Sequence, residues 1–327
     1  MTPVTLGTGW PRVRLEGMGL RHFALRVAAL VAAASSPAQA QVPSFGVRSE
    51  LVVLSASALD DRGRPVTDLR REEFRVYEEG RPQAIVHYAV GAGAPARVLL
   101  LVDASGSMNA QLKTMSTRMA ATQLLAALAP DDQAALAGFD SSYWGIVAWT
   151  KDHRKVEEGL ASIKPFGSTA LHDALDRAAR DLSSHGEGRR AIVAITDGVD
   201  TASRETADAV IARSRALDVP IYAVSVVSPI DDPRSGVYAG GNGRITAAAA
   251  GSALLEKYAS MSGGAAFVVS DFGGLKRAAD QIALELKHQY RLGYAAPEGP
   301  ARFRSVEVRS TRKGVVVRTR SGYIPPS

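Results

Sequence analysis

The chain has no cysteine among its 327 residues. Disulfides, Cys-ligated zinc, iron–sulfur clusters and thiol catalysis are therefore excluded. Signatures of several enzyme sites are missing too. There is no Gly-Lys-Ser/Thr run to cradle a nucleotide phosphate, and the six histidines show no His-Glu-x-x-His spacing. A serine nucleophile at Ser105 lacks its Gly-x-Ser-x-Gly elbow, because Asp103 stands where the first glycine belongs. An aspartyl-phosphate enzyme wants a second Asp two residues after the first, and Ser105 holds that place. His172 and His185 read as solvated or capping residues. Strong charge is also lacking. The formal net charge is +6, and residues 1–40 contribute four arginines and one glutamate to it, leaving +3 on the rest. That surplus is too mild to imply a nucleic-acid partner.

Long apolar runs are scarce. The one apolar stretch of note is N-terminal and too short to span a bilayer. Arg21, His22 and Arg26 precede the apolar core Val27 to Ala34, and Ala38-Gln39-Ala40 forms an A-x-A site. This pattern predicts a signal peptide over residues 1–40, with a mature start at Gln41 and export to the periplasm or beyond. The first seventeen residues, with Pro11 and Glu16, are foreign to such a signal, so Met18 is the expected start.

What remains divides into three parts. Residues 45–93 are strand-like, with turns at Asp60–Pro65 and Glu78–Pro82. Residues 96–288 alternate short apolar strands with helical segments, the pattern of a mostly parallel, doubly wound α/β sheet covered on both faces. The short Asp140–Gly145 connection predicts one antiparallel edge strand. Residues 289–327 return to strands. Val306-Glu307-Val308 and Val315-Val316-Val317 flank a Ser310–Gly314 turn and read as a hairpin, whose many arginines form one solvated face that discourages edge pairing. Neither flank has strands enough for its own core. The two are expected to pair into one small β-sandwich with the α/β domain inserted between them. Gly236 to Gly243 reads as a flexible loop near the carboxyl ends of the strands, where it could shape partner contacts.

Chemistry concentrates at those strand ends. The apolar run Val98–Val102 leads into Asp103-Ala104-Ser105-Gly106-Ser107, and Gly167-Ser168-Thr169 and Thr196-Asp197-Gly198 lie downstream with strand-to-loop character. In a doubly wound sheet, ligands bind beyond the carboxyl ends of the strands, at the point where strand order reverses. Asp103 ends the first predicted strand and Asp197 the fourth, which are neighbours in the common order 3-2-1-4-5-6. Asp103, Ser105, Ser107, Thr169 and Asp197 can therefore converge as three hydroxyls and two carboxylates. Hard oxygen donors of this kind suit a hard divalent cation, Mg²⁺ first, with Mn²⁺ and Ca²⁺ as alternatives. Asp140 and Asp200 lie nearby as secondary candidates, although both fit ordinary turns.

The segments Val102-Asp103-Ala104-Ser105-Gly106-Ser107-Met108, Gly167-Ser168-Thr169-Ala170-Leu171 and Thr196-Asp197-Gly198 resemble the metal-ion-dependent adhesion site (MIDAS) of von Willebrand factor A (VWA) domains. The resemblance implies a Rossmann-like fold, with Ser105, Ser107 and Thr169 as ligands and Asp103 and Asp197 bound directly or through water. Tyr258–Gly264 with Phe267 is similar to the last helix–strand junction of that family. The flanks, around Phe74–Gly80, Gln289–Tyr294 and Arg320–Tyr323, resemble a bacterial secreted subfamily. One departure is Val199, where some members place a carboxylate. Together with the N-terminal export pattern, the expected function is an exported, metal-dependent protein-binding module, non-enzymatic, whose protein partner supplies an acidic side chain to the cation. The alternatives are a structural metal site with binding through the β-sandwich, and a metal-assisted hydrolase, which would lack an obvious base.

Overall fold

A computed structural model describes residues 51–91, 95–109, 111–185, 188–227 and 242–325, all within one compact unit, with side chains from 249 onward in the last stretch. The signal-peptide segment, the 92–94 stretch and most of the glycine-rich 236–243 segment lie outside the described residues. Four strands come first: β1 (Leu51–Leu59), β2 (Phe74–Glu78), β3 (Arg81–Gln83) and β4 (Ile85–Val90). The α/β part follows as β5 (Arg97–Asp103), α1 (Gln111–Ala127), β6 (Gln133–Phe139), β7 (Tyr143–Thr150), α2 (His153–Leu160), α3 (Leu171–Ser183), β8 (Arg190–Thr196), α4 (Ala207–Ala216), β9 (Ile221–Val226), α5 (Asn242–Ser262), β10 (Ala266–Val269) and α6 (Phe272–Lys287). The chain closes with β11 (Tyr290–Ala295), β12 (Arg304–Ser310), β13 (Val316–Thr319) and β14 (Gly322–Tyr323).

The central sheet has the order β10-β9-β8-β5-β6-β7. Its strands pair in parallel except the edge strand β7, which runs antiparallel to β6. Strand β5 is apolar from Val98 to Val102, as befits a strand covered on both faces. Val98, Leu100 and Val102 pack with Leu124 of α1 and Ile282 of α6 on one side. Leu99 and Leu101 pack with Leu175 of α3 and Tyr258 of α5 on the other. Strand order reverses between β5 and β8, so the loops after these two strands open onto one crevice. Helix α5 begins at Asn242, so Gly243, expected at the end of a flexible loop, belongs to a helix. Five alanines between 247 and 253 favour helix in this stretch.

The flanking segments interleave in two four-stranded sheets, ordered β13-β1-β11-β4 and β14-β12-β2-β3. Every pairing between the two flanks is antiparallel. Their inner faces share one core of Leu54, Phe74, Val76, Tyr290, Leu292, Tyr294 and Val308. The predicted terminal hairpin does not form. β12 pairs with β2 and β13 with β1, so the chain turns a corner from one sheet to the other between Ser310 and Val316. Nor do the tail arginines make one solvated face. Arg304 is buried against Glu78 at 3.0 Å, and Arg320 is buried with its Nε 3.4 Å from Asp218. Arg312 binds Asp68 and Glu73, and Arg318 reaches the buried Glu285.

Candidate functional site

The loop after β5 is set by hydrogen bonds that the sequence can be seen to supply. Asp103 is buried at the strand end. The Ser105 backbone N–H donates to its Oδ1 at 2.8 Å, and the Thr196 hydroxyl donates to its Oδ2 at 2.6 Å. Thr196 in turn accepts from the Gly198 N–H at 3.0 Å. One threonine thus ties the ends of β5 and β8 and fixes the orientation of the Asp103 carboxyl. Burial pushes that carboxyl up to about 6, opposed by its hydrogen bonds from Ser105 and Thr196 and aided by the nearby charge of Asp197.

The second loop is docked by its backbone. The Phe166 N–H donates to Ala104 O at 2.7 Å, and the Gly106 N–H donates to Gly167 O at 2.8 Å. A Cβ at Gly106 would stand 3.1 Å from Gly167 O, a tight contact that a side chain there would relieve only by a shift of the facing loop. This docking brings the buried Thr169 to the same end of the sheet as Ser105 and Ser107. The Ser105 and Ser107 hydroxyls are 3.1 Å apart, the first buried and the second exposed. Two backbone N–H groups, of Thr201 and Ala202, donate to Thr169 O at 2.8 and 3.0 Å, which anchors the loop after β8 to the same place.

Asp197 is buried, and the Val199 N–H donates to its Oδ1 at 3.3 Å. Its Oδ2 accepts from the Lys113 ammonium at 2.8 Å. Asp140 and Asp200 are turned to other uses. Asp140 Oδ1 takes the Ser142 N–H at 2.9 Å in a tight turn. Asp200 Oδ1 takes the Ser203 hydroxyl at 2.5 Å and the His172 N–H at 3.3 Å. Ala170 gives α3 no side-chain cap, so Asp200 and Ser203 satisfy its first turn from outside. His172 stands with its Nδ1 3.1 Å from Asp200.

The structure therefore gathers Asp103, Ser105, Ser107, Thr169 and Asp197 on three mutually bonded loops. It holds Asp140 and Asp200 in turn and cap bonds. Among the described residues, no three His, Asp or Glu side chains cluster as a metal site. The donors here are two carboxylates and three hydroxyls, all oxygen, which fits a small hard cation and not a soft metal. Two participants went unassigned in the sequence. Thr196 sits one residue before Asp197 at a strand end. Lys113 lies in the first turn of a helix, where a cation is disfavoured, and that misplacement is its signal.

Residues 98–199 match the model for the von Willebrand factor type A domain, a family whose members generally mediate protein–protein interaction. No curated protein matches the chain. Similar solved structures include an aerotolerance-related membrane protein from Bacteroides fragilis NCTC 9343, carrying multiple mutations to serines. It is 21% identical, with 58% of this chain and 98% of that one covered and a TM-score of 0.47. The conserved hypothetical protein BatB from Bacteroides thetaiotaomicron is 19% identical over 59% of this chain and 99% of its own, with a TM-score of 0.45. A von Willebrand factor type A protein from Catenulispora acidiphila is 11% identical over 86% of this chain and 75% of its own, with a TM-score of 0.48.

Proposed function

We propose that this chain, whose residues 98–199 form a von Willebrand factor type A domain, is an exported module that binds a protein partner through a divalent cation. Asp103, Ser105, Ser107, Thr169 and Asp197 would hold Mg²⁺, or Mn²⁺ or Ca²⁺ in its place. An acidic side chain of the partner would complete the coordination. The observation that carries this reading is the placement of those five side chains on loops joined by the Gly106–Gly167 and Asp103–Thr196 hydrogen bonds. When bound, the cation supplies a partly unsaturated positive centre that a carboxylate can reach. The residues of this chain do the rest. Thr196 and the Ser105 N–H orient Asp103, and Gly106 allows the loops to close.

The surroundings favour a protein partner over a reaction. Phe166, on the loop docked beside Gly106, is 81% exposed and offers an apolar contact next to the site. Export rests on the Arg21–Ala40 pattern. Among the described residues no helix is long and apolar enough to cross a membrane. Intact mass of the protein recovered outside the cytoplasm should correspond to a chain starting at Gln41; a retained N-terminal segment would contradict cleavage there.

Water-proton relaxation with Mn²⁺ tests the open coordination position. Wild-type protein should enhance relaxation, and a Glu-containing peptide should reduce that enhancement by displacing metal-bound water, while its Gln counterpart does not. Equal behaviour of the two peptides would remove the acidic-ligand reading. Enhancement matched by Asp103→Ala would remove the site.

A further inference from the structure

The fold places an ammonium where the metal reading wants a cation. Lys113 is the third residue of α1, and its Nζ lies 2.8 Å from Asp197 Oδ2. The side chains are 17% and 9% exposed, so the pair is largely shielded from water. The first turn of a helix carries the positive end of its dipole, which disfavours a lysine there. The carboxylate it meets offsets that cost. Three of the other donors are engaged by neutral groups. Asp103 accepts from a hydroxyl and a backbone N–H, and Ser105 and Ser107 share a hydrogen bond. Asp197 alone among the five has a charged occupant.

We propose that Lys113 is a resident competitor at this site: its ammonium holds Asp197 in the metal-free chain and must leave before a divalent cation takes that carboxylate. The proposal rests on the metal-site reading above. A dication entering beside an ammonium meets like charge in a shielded environment, where charges act on each other more strongly than in water. Binding is thus an exchange of one cation for another, and the affinity is lower than the five side chains alone would give. The four-carbon stem of lysine lets the head swing away, and the adjoining Gln111 and Leu112 are exposed, so solvent lies next to the pair. In the metal-free chain the same contact keeps Asp197 from being a buried, unpaired charge.

The test uses the full chain, with Mg²⁺ titrated calorimetrically and thermal melting followed with and without Mg²⁺. Lys113→Met should bind Mg²⁺ at least tenfold more tightly than wild type, equivalent to about 1.4 kcal/mol. It should melt below wild type without metal and gain more from Mg²⁺. Lys113→Arg keeps the charge and should stay within a few-fold of wild type. Lys113→Gln is measured beside Lys113→Met, so a folding defect in one variant does not decide the outcome. Saturable binding by wild type with equal or weaker binding by folded Lys113→Met and Lys113→Gln would overturn the competitor role and leave the metal site standing. No saturable binding by wild type or by either neutral variant, all folded by circular dichroism, would overturn the metal reading itself.

Discussion

At the scale of single residues, the site is a problem of satisfying buried oxygens. Asp103 keeps its proton to about 6 because burial disfavours its charged form. A carboxyl whose folded-state value lies above its unfolded one favours folding while protonated. That contribution is complete below about pH 4 and is lost as pH rises through about 6. Without metal, wild-type stability should therefore fall by roughly 2–3 kcal/mol between pH 4 and pH 8 from this group. Urea denaturation across that range should show the fall, and Asp103→Asn should flatten it. An unchanged slope in the Asn variant would contradict the assignment. Thr196→Val removes the hydroxyl that both donates to Asp103 and accepts from Gly198. Two buried partners are left unsatisfied, and the variant should lose about 2 kcal/mol in the same assay.

At the scale of elements, the strand ends and the loop backbones carry the geometry. The apolar runs at 98–102 and 191–195 announce buried parallel strands, and the Asp that follows each marks its carboxyl end. Two of the five donors could thus be placed from the sequence on neighbouring strands. What sequence could not supply was the docking of one loop on another. The Gly106–Gly167 and Phe166–Ala104 bonds are backbone contacts across some sixty residues, and no side-chain pattern encodes them. The tail misled for a related reason. Its alternation is real in β12, yet alternation alone does not say which sheet the next strand joins, and β13 crossed to β1. Gly198 shows how tightly the site loop is seated. Its φ is +81°, and an added Cβ would lie 2.6 Å from Gly251 O of α5. Gly198→Ala should cost about 2 kcal/mol or more by combining left-handed backbone with a main-chain clash. Its amide cross-peaks should shift around both Asp197 and α5; a variant as stable as wild type would contradict this packing.

At the scale of the whole molecule, two chain ends build one sandwich, and that sandwich is pinned to the α/β part through buried charge. Glu285 of α6 is buried and accepts from the Tyr222 hydroxyl of β9 and from Gln281, each at 3.0 Å, and from Arg318 of β13. Nearby, the Arg320 guanidinium donates to Arg215 O at 2.6 Å and Val53 O at 2.9 Å. The sequence showed these arginines only as a basic tail; their partners lie far away along the chain, so these contacts were invisible there. Arg318→Met leaves Glu285 charged, buried and short of its cationic partner. It should lower stability by about 3 kcal/mol in urea denaturation, with one cooperative transition retained. A loss under 0.5 kcal/mol, the ordinary range of a surface substitution, would mean that the pair does not join the two parts.

The central claim is that this molecule presents a divalent cation on the loops after β5 and β8. Calorimetric titration of Mg²⁺ into the wild-type chain and into Asp103→Ala tests it most directly. The account predicts saturable binding of one ion per chain in wild type and none in the variant. Absence of saturable binding in wild type, or the same binding in both proteins, would contradict it.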